Sequence, residues 1–295
     1  MTLCFRQTSD GLTQLRRSLD LCKAWINRIC FPPPTQTTRG ESYLNIQAYL
    51  DRINYHGSIA PTAETLRALQ VAHLLTVPFE NLSIHAGEPI VLEDEALFNK
   101  IVERRRGGFC YEANGLFAAL LRTIGFDVTM LSAEVAQAEG SFSQPFDHMT
   151  LMVKLEQRWL VDVGFGDSFL EPLLLDGRRE QVQDSRAYRI SDDGRYLTLS
   201  RRDPSEWKPQ YRFTLTAYEC DDFAEMCRYH QSSPQSHFTQ GRICSRATDE
   251  GRITLSDMRL ITTHRNGERK EQTLQSDEEY LVALREHFGV VMGRY

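Results

Sequence analysis

The sequence predicts an α+β fold, and three features predict it. From residue 43 to about 125 apolar residues recur at helical spacing; past that point short alternating segments of β-type residues follow one another; and the chain closes on a capped helix. A chain of 295 residues is long enough to bury one substantial core or a few smaller ones. Its 41% hydrophobic and 25% charged residues are ordinary for a soluble globular protein.

The helices come first. In "NIQAYLDRI" (45–53) Ile46, Tyr49, Leu50 and Ile53 fall on one face, and in "TAETLRALQVAHLLTV" (62–77) Leu66, Leu69, Leu74 and Val77 do the same. Thr62 is placed as an N-cap, with Glu64 in the first turn. A further helix is predicted over 94–104. Another begins at Cys110, with Ala113, Phe117, Leu120 and Ile124 as its buried stripe and Gly125 as its stop.

Strands follow: "FDVTMLSAEV", "HMTLMVKL", "RWLVDVGF", "YRISDDGRYLTLSRR" and "QYRFTLTAYE", with Asp193-Gly194 as a hairpin turn. Their spacing suits an antiparallel barrel or an antiparallel sheet. The tail adds strands around turns at Glu250-Gly251 and Asn266-Gly267. It then ends in "SDEEYLVALREHFG", where Ser276 and Glu279 form a capping pair.

Residues 1–40 stand apart as an extension and linker. Leu12, Leu15, Leu19, Cys22, Ile26 and Ile29 lie at helical spacing, and the triple proline 32–34 ends the pattern. Asp10 and Asp20 argue against a targeting peptide.

Composition excludes several functions. The net charge of −6 is spread over interspersed signs, which gives no nucleic-acid footprint. No apolar run reaches the roughly 18 residues that span a bilayer. Seven cysteines, an odd and scattered set, fit a reducing cytoplasm. Cys220, Cys227 and His230 make at most part of a metal site, since no second CxxC-type half exists; no metal is expected.

Chemistry concentrates in "RRRGGFCYEANGLF". Cys110 stands at a predicted helix start, where unpaired N–H groups and the macrodipole favour negative charge and lower a thiol pKa. Gly107 and Gly108 lack side chains, so a bulky acyl donor is expected to reach the sulfur. A thiolate needs a base, and the base an orienting group. His148 heads the second predicted strand and Asp162 ends the next, an order of Cys, His and Asp suited to a thiol nucleophile. A turn over Glu156-Gln157-Arg158 sets Asp162 opposite Met152; a turn nearer Leu155, or a bulge, brings it to His148.

"RGGFCYEANGLF", "HMTLMV" and "DVGFG", with "VPFENLSIH" (77–85) upstream, resemble the arylamine N-acetyltransferase family over roughly 43–295. The resemblance implies a cysteine-protease-like fold: an N-terminal helical bundle (41–125), an antiparallel β-barrel (126–230) and a C-terminal α/β lid (231–295). It implies acetyl transfer from acetyl-CoA, a co-substrate with no bound cofactor, to an aromatic amine, hydrazine or N-hydroxyarylamine through an acetyl-cysteine. Cys110 is then the nucleophile, His148 the base and Asp162 its orienter. Phe79, Phe165 and Phe238 line the arylamine pocket, and Glu80 and Arg106 form a buried ion pair under the cysteine loop. The setting implied is cytoplasmic xenobiotic metabolism, with no nucleic acid, membrane or obligate protein partner. Two other readings share the reactive residues: an amide synthase of the same family using a large acyl thioester, and a transglutaminase-like thiol hydrolase.

Overall fold

The computed structural model describes residues 44–293 apart from 139, 184, 185 and 204. The extension and linker expected over 1–40 lie outside the described residues. Helices α1 (Ile46–Arg52) and α2 (Ala63–Thr76) both start on side-chain caps. Asn45 Oδ1 accepts from the Ala48 N–H at 3.1 Å and Thr62 Oγ1 from the Thr65 N–H at 3.2 Å, which satisfies donors that a first turn leaves orphaned. A short strand β1 (Phe79–Glu80) and helix α3 (Leu82–His85) come next. The helix predicted over 94–104 is α-helical only through α4 (Asp94–Phe98) and widens into a π turn over Asn99–Glu103.

Helix α5 (Cys110–Ile124) ends at Gly125, whose φ of 109° is the left-handed stop. Its predicted stripe was too narrow: every residue from Cys110 to Ala118 is buried. The reason is tertiary. Helices α1 and α4 pack on one side of α5, and the sheet strands after it on the other.

Strands β2 (Asp127–Val135), β3 (His148–Lys154), β4 (Arg158–Val161), β5 (Leu173–Leu174), β6 (Gln181–Gln183), β7 (Arg186–Asp192), β8 (Leu197–Asp203) and β9 (Glu206–Phe213) form one antiparallel sheet. Its order is β5-β4-β3-β2-β9-β8-β7-β6, and it wraps into a nearly closed barrel. The edges β5 and β6 are linked by side chains. Gln181 accepts from the Leu174 N–H at 2.7 Å and donates to the Leu174 carbonyl at 3.0 Å. A glutamine amide thus stands in for a missing ladder rung and protects both edges. Strand β2 feeds two cores by alternation: Val128 and Met130 face the helices, Leu131 and Ala133 the barrel interior.

Helices α6 (Ala224–Ser232) and α7 (His237–Gln240) lead to strands β10 (Ile243–Thr248), β11 (Gly251–Ser256), β12 (Arg259–His264) and β13 (Arg269–Thr273) and to helix α8 (Asp277–Phe288). The second sheet has the order β1-β10-β11-β12-β13, so Phe79 pairs with Ser245 and Glu80 with Cys244. Helix α8 lays Tyr280, Ala283, Leu284 and Phe288 on that sheet. Ser276 caps it through the Glu279 N–H, while the Glu279 carboxylate takes the Gln275 N–H at 2.8 Å. The whole is the α+β class predicted from the sequence. Among the described residues no helix is long and apolar enough to cross a membrane.

Candidate active site

The loop before α5 is built on a buried ion pair. Arg106, 1% exposed, donates from Nε to Glu80 Oε1 at 3.0 Å and from Nη2 to Glu80 Oε2 at 3.1 Å. Two parallel bonds fix the planes of both groups. Burial works against the Glu80 carboxylate, yet Lys100, Arg106 and the Leu82 N–H together hold it below the ordinary range. Burial likewise opposes the Arg106 charge, and Glu80 and Glu88 more than restore it.

Lys100 Nζ lies 2.6 Å from Glu112 Oε1 and 4.0 Å from Glu80 Oε1, so it bridges the pair to the cysteine helix. Glu112 returns its other oxygen to the Phe109 N–H at 3.2 Å, closing the start of α5. Phe109 carries no side-chain acceptor, so this is only the return half of a capping box. Burial pushes Glu112 up, and Lys100 only partly offsets that.

Gly107 and Gly108, read from the sequence as structural support of the site and as room for an acyl donor, are both closely packed. A Cβ on Gly107 meets the Pro78 carbonyl oxygen at 1.9 Å, and one on Gly108 meets Glu112 Cβ at 2.6 Å. The space where each Cβ would stand is filled by protein. The glycines let the loop lie against β1, where the Glu80 N–H reaches the Gly108 carbonyl at 3.0 Å. Gly107→Ala is expected to cost about 3 kcal/mol through backbone overlap. An unchanged urea midpoint contradicts this.

Strand β3 brings His148 beside the cysteine. The Met149 N–H, next along the chain, lies near enough to the Cys110 sulfur to favour its thiolate. His148 Nε2 lies 2.7 Å from Asp162 Oδ2, with both residues buried. The register explains how they meet. The β3–β4 turn lies one residue earlier than a turn over 156–158, with Lys154 paired to Arg158 and the Leu155 N–H bonding the Gln157 carbonyl at 2.9 Å. Leu151 therefore pairs with Val161, and Asp162 comes level with Thr150, not Met152. His148 and Asp162 become diagonal neighbours on one face, within reach of two polar side chains.

The carboxylate is held from several sides. Asn114 Nδ2 donates to Asp162 Oδ1 at 2.9 Å and to the Met149 carbonyl at 2.7 Å; Asn114 Oδ1 accepts from the Val163 N–H at 2.9 Å. The Gly164 N–H reaches Asp162 Oδ1 at 2.9 Å and the Tyr211 hydroxyl reaches Oδ2 at 3.0 Å. Burial opposes the Asp162 charge, but His148, Asn114 and Gly164 hold its carboxyl below the ordinary value. A Cβ on Gly164 lies 2.7 Å from Cys110 Cα, so this glycine lets the loop after β4 rest on the start of α5.

Asn114 and Tyr211 were not identified from the sequence. Asn114 carries a legible signal, since it sits one helical turn after Cys110 and shares its face. Tyr211 carries none, because β9 reaches Asp162 only through the barrel's strand order.

The thiol's environment overturns the expectation of a pKa lowered by the helix start. Burial pushes the Cys110 thiol up, and the carboxylates of Asp147 and Asp162 push the same way; only the Met149 N–H opposes them. The field of a helix terminus does not outweigh full desolvation.

The predicted phenylalanines surround the reactive groups and are all half-buried. Phe165 stands edge-on to His148, with centroids 5.1 Å apart. Phe79 and Phe238 are 6.2 Å apart, and Phe238 meets Phe109, the residue before Cys110, edge-on at 5.5 Å. Among the described residues no three His, Cys, Asp or Glu side chains gather as a metal site.

Known proteins match the chain through this whole region. A family model described as N-acetyltransferase matches residues 62–295. The arylamine N-acetyltransferase of Mycolicibacterium smegmatis is 35% identical over 257 residues, covering 85% of this chain and 93% of its own. That of Escherichia coli (strain K12) is 35% identical over 246 residues, covering 82% and 87%. The solved structure of Mycobacterium marinum arylamine N-acetyltransferase in complex with CoA superposes with a TM-score of 0.78 at 33% identity, over 83% of this chain and 93% of that one. The match spans the cysteine helix, both strands of the His–Asp pair and the second sheet, and on that ground the chain belongs to the N-acetyltransferase family.

Proposed function

We propose that the chain is an acyltransferase that moves acetyl from acetyl-CoA to an aromatic amine, hydrazine or N-hydroxyarylamine, with Cys110 as the acetyl carrier. The observation that carries this is the 2.7 Å contact of His148 Nε2 with Asp162 Oδ2, beside a thiol that receives the Met149 N–H. That contact occupies Nε2 and leaves Nδ1 for the sulfur. A thiol pushed up by burial does not shed its proton to solvent. Its proton passes to His148 as Cys110 Sγ attacks the thioester carbonyl, and Asp162 stabilises the imidazolium formed.

The tetrahedral intermediate then breaks its bond to the CoA sulfur, which leaves with the proton from His148. Thioester-to-thiol exchange of this kind is close to isoenergetic, so the acetyl-cysteine can wait. N–H groups at the start of α5 are suited to hold the oxyanion. In the second half the amine nitrogen attacks, His148 takes its proton, and the C–S bond breaks to give the amide, the proton passing from His148 to the departing Cys110 sulfur. An arylamine is weakly basic and neutral at pH 7, so apolar walls such as Phe79, Phe165 and Phe238 suit it better than a counter-charge. The scattered, odd set of cysteines supports a cytoplasmic setting.

Mass spectrometry after acetyl-CoA treatment is expected to find one acetyl group, on Cys110. Double-reciprocal plots at several fixed amine concentrations are expected to be parallel, since CoA leaves before the amine reacts. Intersecting lines overturn the covalent route, and fast turnover without amine favours a hydrolase.

A further inference from the structure

Outside the groups assigned above, one buried histidine touches Tyr111, Phe238 and Asp147. His230 of α6 is 6% exposed and bonds Ser236 Oγ through Nδ1 at 2.9 Å. Its Nε2 lies 3.1 Å from Asp147 Oδ1, bent away from a straight hydrogen bond. The ring stacks on Tyr111 at 6.1 Å and stands edge-on to Phe238 at 5.1 Å. Tyr111 directly follows Cys110, and Asp147 directly precedes His148.

The segment that Asp147 belongs to needs holding. Phe146 has a φ of 67°, a left-handed conformation that a bulky side chain does not adopt unaided. Its N–H is taken by Ser132 Oγ at 2.7 Å, and the Tyr111 hydroxyl donates to the Phe146 and Asp147 carbonyls at 2.7 and 3.2 Å. The Asp147 side chain has the His230 ring of α6 as its neighbour. Burial opposes the Asp147 charge, and His230 and Ser143 hold its carboxyl below the ordinary value.

We propose that Asp147 and His230 form a positioning pair that ties α6 and the Phe238 wall to the strained segment leading into His148. This rests on the reading of Cys110 and His148 as the reacting pair. The pair sets the backbone from which both His148 and the Met149 N–H are presented to the sulfur. It also sets the charge that the thiol meets. Around Cys110 stand the Met149 N–H next to His148 on β3, Asp147 before β3, Asp162 after β4, Cys227 from α6 and Tyr111 from its own helix. Of these, Asp147 is the carboxylate that has His230 beside it.

The test reads iodoacetamide alkylation of Cys110 in the full chain against pH, scored by mass spectrometry of the Cys110 peptide. Asp147→Asn removes a negative charge that disfavours the thiolate, so its midpoint is expected at lower pH than the parent's. His230→Ala leaves that carboxylate without its partner, and its midpoint is expected at higher pH. His230→Gln, which keeps an N–H donor, is expected near the parent. Acetylation of Cys110 by acetyl-CoA is expected to slow by about tenfold or more in His230→Ala and to recover in His230→Gln, as for a misplaced reacting group.

A histidine that only fills space leaves the His230→Ala midpoint at the parent's, or moves it the same way as Asp147→Asn; either result overturns the pairing. Should His230→Ala fail to fold, His230→Phe, which keeps an aromatic ring without the nitrogens, takes its place, and an unmoved midpoint there refutes the pairing. A parent protein that takes no acetyl on Cys110 sinks the acetyl-transfer reading, while the alkylation profile still decides the pairing.

Discussion

Cys110→Ser is expected to lower amine-dependent release of CoA by about a thousandfold or more. The change replaces one atom in a buried pocket, so the fold is expected to stand. What is lost is nucleophilicity: a serine hydroxyl at neutral pH is a far weaker attacking group than a thiol paired with an imidazole. No other described cysteine can substitute. Burial pushes Cys220 and Cys227 up to about 12 and holds Cys244 well above an ordinary thiol, and none of them is bonded to the His148–Asp162 pair. The measurement is CoA release with saturating acetyl-CoA and an arylamine, alongside a thermal melt to confirm folding. A folded variant with activity comparable to the parent removes Cys110 from the role of nucleophile.

Arg106→Ala is expected to destabilise the protein by roughly 3–5 kcal/mol, because it strands a carboxylate that has no exposure to solvent. The nearest remaining cation, Lys100, is 4.0 Å from Glu80 and already committed to Glu112 at 2.6 Å. The damage is expected to spread into the cysteine loop, since Glu80 Oε1 also accepts the Gly107 N–H at 3.3 Å.

The pH dependence has a definite sign. Glu80 is held below its ordinary value of 4.5, so its stabilisation is fully present above that value and fades as pH falls through the folded one. The gap between parent and variant should therefore be widest near neutrality and narrow in acid. Urea midpoints at several pH values measure it. A loss under about 1 kcal/mol at pH 7 refutes the buried-pair account.

The elements that were legible in the sequence share one property: short-range physics fixes them. Thr62 caps α2, Gly125 stops α5 and Ser276 caps α8 because each cap involves residues within a turn or so of itself. Asp193 and Gly194 turn the β7–β8 hairpin for the same reason, the Asp193 carboxylate taking the N–H groups of Arg195 and Tyr196. The 94–104 segment was read as one regular helix because periodicity does not register a local widening to a π turn.

By itself the sequence determined the succession of helices then strands, and the placing of a thiol at a helix start with His148 and Asp162 heading and following later strands. It determined these because periodicity, caps and residue order are properties of neighbours in the chain. Tertiary structure alone decided that Asp162 lies level with Thr150 and that Gly107 is needed by the Pro78 carbonyl. It also decided that Tyr211 and Asn114 close on the carboxylate, and that the thiol is pushed up instead of down. Each of these depends on distance through space between distant parts of the chain, and on the water that packing removes. Neither is written in local pattern.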